Sequence, residues 1–190
     1  MYKLALLLLT NAALASSGFL TFGYGDGGDS LSSASGGQNY RTHAGSGLFF
    51  MLGKIITVSP TVPHHFEAQL GIGYLFQNDA REQDSSVSWS RVPIEAIYFY
   101  KNTIENFRLG WGSTCHINSS INAKGTNASA STSVENAWGF VLAAEKLWVT
   151  ETNEMMSIGL RHTSMNYRLT AFDKVVNGDN LSVTFTGFLF

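Results

Sequence analysis

The chain of 190 residues lacks the features that mark several large classes of protein. It has one cysteine, Cys115, so it can form no internal disulfide and offers no thiolate cluster for a structural zinc site. Charged residues make up only 14% of the chain, against about 25% in ordinary soluble domains, and the net charge of −2 includes no basic stripe that would follow a nucleic acid. No run of about eighteen apolar residues occurs, which excludes a transmembrane helix.

The first residues have the pattern of an export signal. Lys3 supplies a positive start, residues 4–9 form a short apolar run, and Ala13-Leu14-Ala15 provides small residues for cleavage. We therefore expect a signal peptide over residues 1–15 and one mature domain over residues 16–190, and no cysteine follows the cleavage site to carry a lipid anchor. Such a chain can enter a membrane only as a closed barrel, because only helices and closed barrels satisfy every backbone group in lipid.

The clearest periodic stretch covers residues 64–77, HHFEAQLGIGYLFQ. Successive side chains of a strand point to opposite faces, so this segment predicts a ribbon with one apolar and one polar side. Its odd positions are polar or glycine, apart from Leu75. Its even positions from 66 onwards are apolar: Phe66, Ala68, Leu70, Ile72, Tyr74 and Phe76.

The same alternation recurs along the chain and predicts eight strands. Their connections alternate between long and short, and four of them are long polar loops, at 26–39, 78–86, 118–133 and 168–179. An even strand count, short turns at one end and long loops at the other are typical of bacterial outer-membrane barrels. The predicted fold is therefore an all-β, eight-stranded, antiparallel, up-and-down transmembrane β-barrel, with strands at 18–25, 41–55, 64–77, 87–100, 107–117, 134–148, 154–167 and 180–190.

Two details concern the ends of the strands. Tyr98, Tyr100 and Trp148 fall where an aromatic girdle would meet the membrane boundary on the side of the short turns. In the last strand, Leu181, Val183, Phe185 and Leu189 share one parity, whereas Phe188 and Phe190 have the other. Either the register shifts near Gly187 or the final residues pack on both faces of the sheet.

The stretches FEAQLGIGY, RVPIEAIYFYK and FRLGWGSTCHIN resemble the small eight-stranded outer-membrane barrels of the OmpA/OmpX type. The resemblance implies a bacterial outer-membrane location and contact with outer-membrane lipid and lipopolysaccharide. It also implies a monomer, recognition of the C-terminal strand by the barrel-assembly machinery, and no nucleic-acid partner. It brings no cofactor and no metal. Since a fold does not fix a function, the expectation is a structural or surface-interaction role through the four polar loops.

A barrel of eight strands has an interior that side chains just fill. Opposite charges in such a narrow space should pair, because an unpaired buried charge is costly. The polar sides of the strands therefore predict a salt-bridged plug rather than a conducting pore. The predicted lumen charge network is Glu67, Arg91, Glu95, Arg108, His116, Glu135, Glu145 and Arg161.

A second, catalytic hypothesis comes from the segment Arg161-His162-Thr163-Ser164. Its His-x-Ser spacing resembles that of the outer-membrane lipid A deacylases, whose catalytic residues lie on the outer barrel wall. The resemblance implies His162 as general base and Ser164 as nucleophile. Met165 stands where that family has Asn, and the position of its acidic residue falls on Asn180, so Asp179 is the candidate acid.

A third hypothesis is a soluble periplasmic β-barrel that binds a small apolar ligand. The direction of the apolar faces separates it from a membrane barrel: inward for the soluble form, outward for the membrane form.

Overall fold

A computed structural model describes residues 16–30, 43–59, 64–82, 85–125, 128–149, 155–170 and 173–189. Within these ranges the regular structure is entirely β, and no helix is long and apolar enough to cross a bilayer. The strands are β1 (Ser16–Asp26), β2 (Gly47–Ser59), β3 (His64–Glu82), β4 (Ser85–Asn102), β5 (Phe107–Gly125), β6 (Ala128–Val134), β7 (Ala137–Val149), β8 (Met155–Leu169), β9 (Lys174–Asn177) and β10 (Asn180–Leu189).

These strands close into an antiparallel ring with eight positions. From β1 to β5, each strand pairs with the next one in the sequence. The next ring position is shared by β6 and β7, because both pair with β5, and β8 occupies the position after that. The ring closes where β10 pairs with β8 on one side and with β1 on the other. The predicted eight-stranded up-and-down barrel is confirmed, and β9 is an extra strand on the edge of β8.

The two ends of the barrel differ. We call the end that holds the turn at residues 103–106 the short-turn end and the opposite one the long-loop end. The turn forms because the Asn102 side chain accepts hydrogen bonds from the backbone N–H groups of Ile104 and Glu105, at 2.9 and 3.1 Å. Asn106 then takes a positive φ of 51°, a conformation that Asn tolerates better than most residues. The chain therefore reverses in four residues.

The strands extend further at the long-loop end than the sequence predicts. Residues 118–133, predicted as a loop, continue β5 to Gly125 and form β6, with Ile121 opposite Thr132. The loop predicted after the third strand is also largely strand, since β3 and β4 pair as far as Glu82 and Ser85. Ser-, Thr- and Asn-rich strands that have polar groups on both faces show no apolar alternation, so the pattern could not reveal them.

The outward faces of the ring are apolar. Large hydrophobic side chains are exposed at all eight positions, which is the arrangement expected of a membrane barrel and the reverse of a soluble ligand-binding one. Phe49 and Met51, which interrupt the alternation of β2, face inward. The belt comprises Phe22, Tyr24, Leu48, Leu52, Leu70, Ile72, Tyr74, Phe76, Ile94, Leu109, Trp111, Trp138, Phe140, Leu142, Trp148, Ile158, Leu160, Leu181, Val183, Phe185 and Leu189.

The last strand packs on both faces. Pairing with β1 runs without a shift from Asp26–Leu181 to Gly18–Leu189, so there is no bulge at Gly187. Phe188 is buried in the interior with Phe19 and Leu147, while Leu189 is exposed. The second of the two sequence alternatives is therefore the one observed. Residues 1–15, predicted as a signal peptide, residues 60–63, which belong to the predicted connection between the second and third strands, and Phe190 lie outside the described residues.

Candidate functional site

The interior of the barrel holds three layers of charged side chains. In the layer nearest the short-turn end, Arg108 Nε donates to Glu145 Oε2 at 2.9 Å, and Arg108 Nη2 lies 2.8 Å from the same oxygen as an ion-pair contact. Ser157 donates its hydroxyl to the same carboxylate at 2.5 Å. The Arg108 guanidinium also lies over the rings of Phe99 and Phe188, with centroid distances of 4.0 and 4.7 Å. This cation therefore has an anionic partner and an apolar enclosure.

Glu67 belongs to the same layer. Its Oε1 accepts from Lys101 Nζ at 3.1 Å and lies 3.1 Å from His65 Nε2, while its Oε2 is 3.8 Å from Arg108 Nη1. Lys101 lies just beyond the predicted fourth strand at 87–100, but the structure places it in β4 with its side chain buried. Its parity matches that of Arg91 and Glu95 on the same strand, and this signal could have identified it.

The middle layer is a single ion pair. Arg161 on β8 donates Nη1 to Glu95 Oε2 at 2.7 Å, and its Nη2 contacts Oε1 of the same carboxylate. Both residues are buried. Two parallel N–H···O contacts fix the orientation of both side chains and join β4 to β8 across the interior.

The layer nearest the long-loop end is built around Arg91, which is fully buried. Its guanidinium donates to the backbone oxygens of Ala44 and Ser46, the second at 2.7 Å, and to the Tyr167 hydroxyl at 3.0 Å. Tyr167 in turn has its proton available to donate to His116 Nδ1, 2.6 Å away. The Trp89 ring covers the cation, with a centroid distance of 4.4 Å.

Arg91 therefore ties the segment at residues 43–46 into the mouth of the barrel. A further bond of 2.8 Å, from the Asn180 side-chain amide to the Gly45 oxygen, closes the same opening from β10. Beside the Glu95–Arg161 pair there is a cavity of about 20 Å³, room for a single water molecule. This interior has the properties of a plug: it is filled, its charges are held in place, and its mouth is covered.

Seven of the eight residues predicted for the lumen network lie inside the barrel, and Glu135 does not. Its side chain is 49% exposed and lies 4.0 Å from Arg168 Nε on the outer surface. The prediction for Glu135 is wrong because this residue lies in the break between β6 and β7, where inward and outward positions no longer alternate. Tyr167, which the sequence analysis did not single out, shares its parity with Arg161 on β8 and points inward.

The segment around His162 lies on the outer wall near the long-loop end. His162 is exposed and its Nδ1 is 3.1 Å from the Asn180 backbone oxygen, so Nδ1 carries the proton and Nε2 is free to accept one. Asp179 approaches the same face: its Oδ1 accepts from the Met165 backbone N–H at 2.8 Å and it also interacts with the Ser164 hydroxyl. His162, Ser164 and Asp179 therefore meet on one outward patch.

The patch is not arranged as a Ser-His-Asp relay. A carbonyl, not a carboxylate, accepts from His162 Nδ1, and Asp179 accepts from the Met165 backbone N–H instead. Partial burial tends to raise the pKa of Asp179, but hydrogen bonds from Met165, Ser164 and Asn177 and the nearby charge of His162 outweigh it and hold the pKa below its usual value. In the described ranges, no group of three or more His, Cys, Asp or Glu side chains is placed to hold a metal ion.

Comparisons with known proteins found structures of similar shape. No family model and no curated protein matches the chain. Ail, the attachment invasion locus protein of Yersinia pestis, is similar at 10% identity and a TM-score of 0.49, over 92% of this chain and 97% of Ail. Ail in complex with the heparin analogue sucrose octasulfate gives a TM-score of 0.48 with the same identity and coverage. At this level the likeness carries no argument about activity or partner. The comparisons also give no support to the resemblance to lipid A deacylases.

Proposed function

We propose that this protein is a bacterial outer-membrane barrel that does not conduct and that presents its long-loop end to molecules outside the cell. The observation that carries the proposal is the opposite polarity of the two faces of one sheet. Outward side chains are large and apolar at all eight ring positions. Two of the three interior layers hold ion pairs, and in the third the Arg91 cation donates to backbone oxygens and to Tyr167. A sheet built in this way places its hydrocarbon-like surface in lipid and its polar groups away from it.

Aromatic side chains support the assignment of the short-turn end to the periplasmic interface. The rings of Phe66 and Tyr98 stack with their centroids 5.4 Å apart, and Tyr98 meets the edge of Trp111 at 5.2 Å. Tyr100 continues the row with its hydroxyl 2.7 Å from His64 Nδ1. Rings with polar tips are favoured at the boundary between hydrocarbon and water, and short turns face the periplasm in such barrels.

The long-loop end supports a surface-interaction role. There β3 to β6 continue as a polar sheet beyond the level at which the ring is closed, and β9 adds a strand beside β8. Ser, Thr and Asn dominate these extensions, which suits a water-exposed surface that contacts other molecules through hydrogen bonds.

Two measurements test this proposal. A folded barrel in the membrane fraction should migrate differently on a gel before and after boiling, and the purified protein should give no current steps in a planar bilayer. A chain that remains soluble without detergent would contradict the membrane assignment. Stable ion conductance by the wild type would contradict the plug.

The second candidate function is ester hydrolysis on the acyl chains of lipid A, and the outward patch is the observation that favours it. His162 has a free Nε2, and Ser164 and Asp179 are beside it at the edge of the apolar belt. On this hypothesis His162 takes the proton of the Ser164 hydroxyl as Ser164 attacks the ester carbonyl. The ester C–O bond then breaks, the departing sugar hydroxyl receives that proton from His162, and water hydrolyses the acyl-serine to release the fatty acid. For this to happen the Ser164 hydroxyl must lie within hydrogen-bond distance of His162 Nε2.

Mass spectrometry of lipid A separates the two candidates. Cells that express the wild type should lose an acyl chain if the patch is catalytic, and cells that express Ser164→Ala should retain it. Ser113→Ala is the matched control, since Ser113 is also an outward serine but lies on β5, away from His162. Identical lipid A with the wild type and Ser164→Ala would leave only the non-enzymatic barrel.

A further inference from the structure

The outer wall carries a groove near the short-turn end. It has a volume of about 500 Å³, and most of its lining is apolar. Its floor is Ala144 on β7, which pairs with Leu109 on one side and with Leu160 on the other. The small alanine between two leucines makes the depression, so the sequence of β7 itself creates the groove.

The Lys146 ammonium lies at the end of this groove that is nearer the turn at residues 103–106. Lys146, two residues from Ala144 on the same face, pairs with Phe107 and Ile158 in the neighbouring strands. Its ammonium donates to the backbone oxygen of Glu105 at 2.7 Å, which holds it over the turn at 103–106. An ammonium has three N–H donors, so two remain for a ligand.

The nearest acidic lining residue does not neutralise this cation. Glu145 follows Ala144 in β7, but its carboxylate points into the barrel and is occupied by Arg108 and Ser157. The groove therefore combines an apolar trough with an accessible positive charge at one end. A glycerophospholipid with an anionic headgroup is complementary to this groove, because its acyl chain fits the apolar trough and its phosphate fits the positive charge at the end.

We propose that this groove holds one anionic phospholipid of the periplasmic leaflet, with its acyl chain over Ala144 and its phosphate on Lys146. The inference rests on the proposed membrane location, because it needs the short-turn end to lie at the level of the phospholipid headgroups. The occupant is fixed by charge complementarity: the ammonium favours a net negative headgroup over a zwitterionic one.

Native mass spectrometry in a mild detergent tests the assignment, with dioleoyl phosphatidylglycerol and dioleoyl phosphatidylcholine as probes. The wild type should retain phosphatidylglycerol in preference to phosphatidylcholine. Lys146→Gln should reduce the retained phosphatidylglycerol about fivefold, the factor that one elementary charge contributes near an anionic interface, and leave phosphatidylcholine unchanged. Ala144→Leu, which fills the trough, should reduce both lipids.

Two matched variants serve as controls. Lys54→Gln removes another outward lysine from the short-turn half, on β2, and Ala96→Leu enlarges another outward alanine, on β4; neither residue lines the groove. Both should retain lipid as the wild type does. The assignment is overturned if Lys146→Gln keeps its preference, if Lys54→Gln loses as much, or if the folded wild type retains neither lipid. The heat-modifiability gel is run on every variant, so loss of the barrel is distinguished from loss of the lipid site.

Discussion

At the scale of single residues, the chain buries several charged side chains in the interior, where an unpaired charge is most costly. Arg91, Arg108 and Arg161 are all buried, and each is enclosed by hydrogen-bond acceptors or aromatic rings. A buried ion pair contributes little net stability compared with a well-packed apolar pair, but removal of one partner leaves an uncompensated charge. The interior charges therefore fix one arrangement of the strands more than they add to the free energy of unfolding.

The pair between Glu95 and Arg161 gives a direct test of this statement. Glu95→Gln should lower the free energy of unfolding by about 3–5 kcal/mol, because it leaves the Arg161 guanidinium without its counter-charge. The double variant Glu95→Gln with Arg161→Gln should recover most of that loss. Glu135→Gln is the control, since this carboxylate is half-exposed near Arg168 and should change stability by no more than about 0.5 kcal/mol. Equal effects of Glu95→Gln and Glu135→Gln in denaturant titrations would contradict the buried pair.

The carboxylate of Asp179 predicts a local pH response in the turn between β9 and β10. Its pKa is depressed in the folded protein, so the carboxylate stabilises the turn above its usual pKa of about 3.8, and this stability is lost as the pH falls through the lower folded value. The Met165 amide donates to Asp179 Oδ1, so its protection against hydrogen exchange should fall as the pH drops below the folded-state pKa of Asp179. In Asp179→Asn the protection of the Met165 amide should not change over this acidic pH range. If it does not change in the wild type either, Asp179 is not the group that stabilises the turn.

At the scale of strands, the sequence predicts those segments in which apolar and polar residues alternate, and it does not reveal strands without this alternation. The strands at all eight ring positions are predictable because each has an apolar outer face, and most of the lumen residues follow from the same parity. The end of β5 and the whole of β6 are not predictable, because their Ser- and Asn-rich faces show no alternation of apolar and polar residues. The prediction for Glu135 is wrong because the break between β6 and β7 changes which parity faces inward. Arg91 donates to backbone carbonyls and not to the acidic side chain that the sequence predicts as its partner. Neither feature has a local signature.

The hairpin of β5 and β6 should be removable above the level of Ile121. Ile121 packs against the interior cluster that includes Trp89 and Tyr167, whereas Asn122 pairs with Ser131 beyond it. Replacement of residues 123–130 by Asn-Gly should join these two strands in a two-residue turn and leave the denaturation midpoint unchanged. The matched variant Ile121→Ser should lower the midpoint, because it removes an apolar contact from the cluster. A large loss on shortening would mean that the extension helps to hold the barrel together.

At the scale of the whole molecule, one closed sheet separates two environments. The outer belt is apolar around the full ring, and the inner layers hold acid–base pairs, aromatic rings and a covered mouth. The composition reflects this division: a chain with 14% charged residues has too few to solvate an outer surface and also fill a lumen. Closure leaves no sheet edge to be satisfied within the belt, so the backbone needs no water there.

A charge placed on the outer wall measures this division directly. Leu160→Arg puts a guanidinium halfway along the outer face of β8, where Leu160 pairs with Ala144 on β7 and Val183 on β10. In a bilayer it should reduce the free energy of unfolding by about 2–4 kcal/mol, since the cost of a cation is greatest at the midplane. Ser164→Arg, at the rim of the same strand, should cost no more than about 1 kcal/mol. Denaturant unfolding in liposomes gives both values. Equal costs at Leu160 and Ser164 would show that depth does not matter, and hence that lipid does not surround the wall.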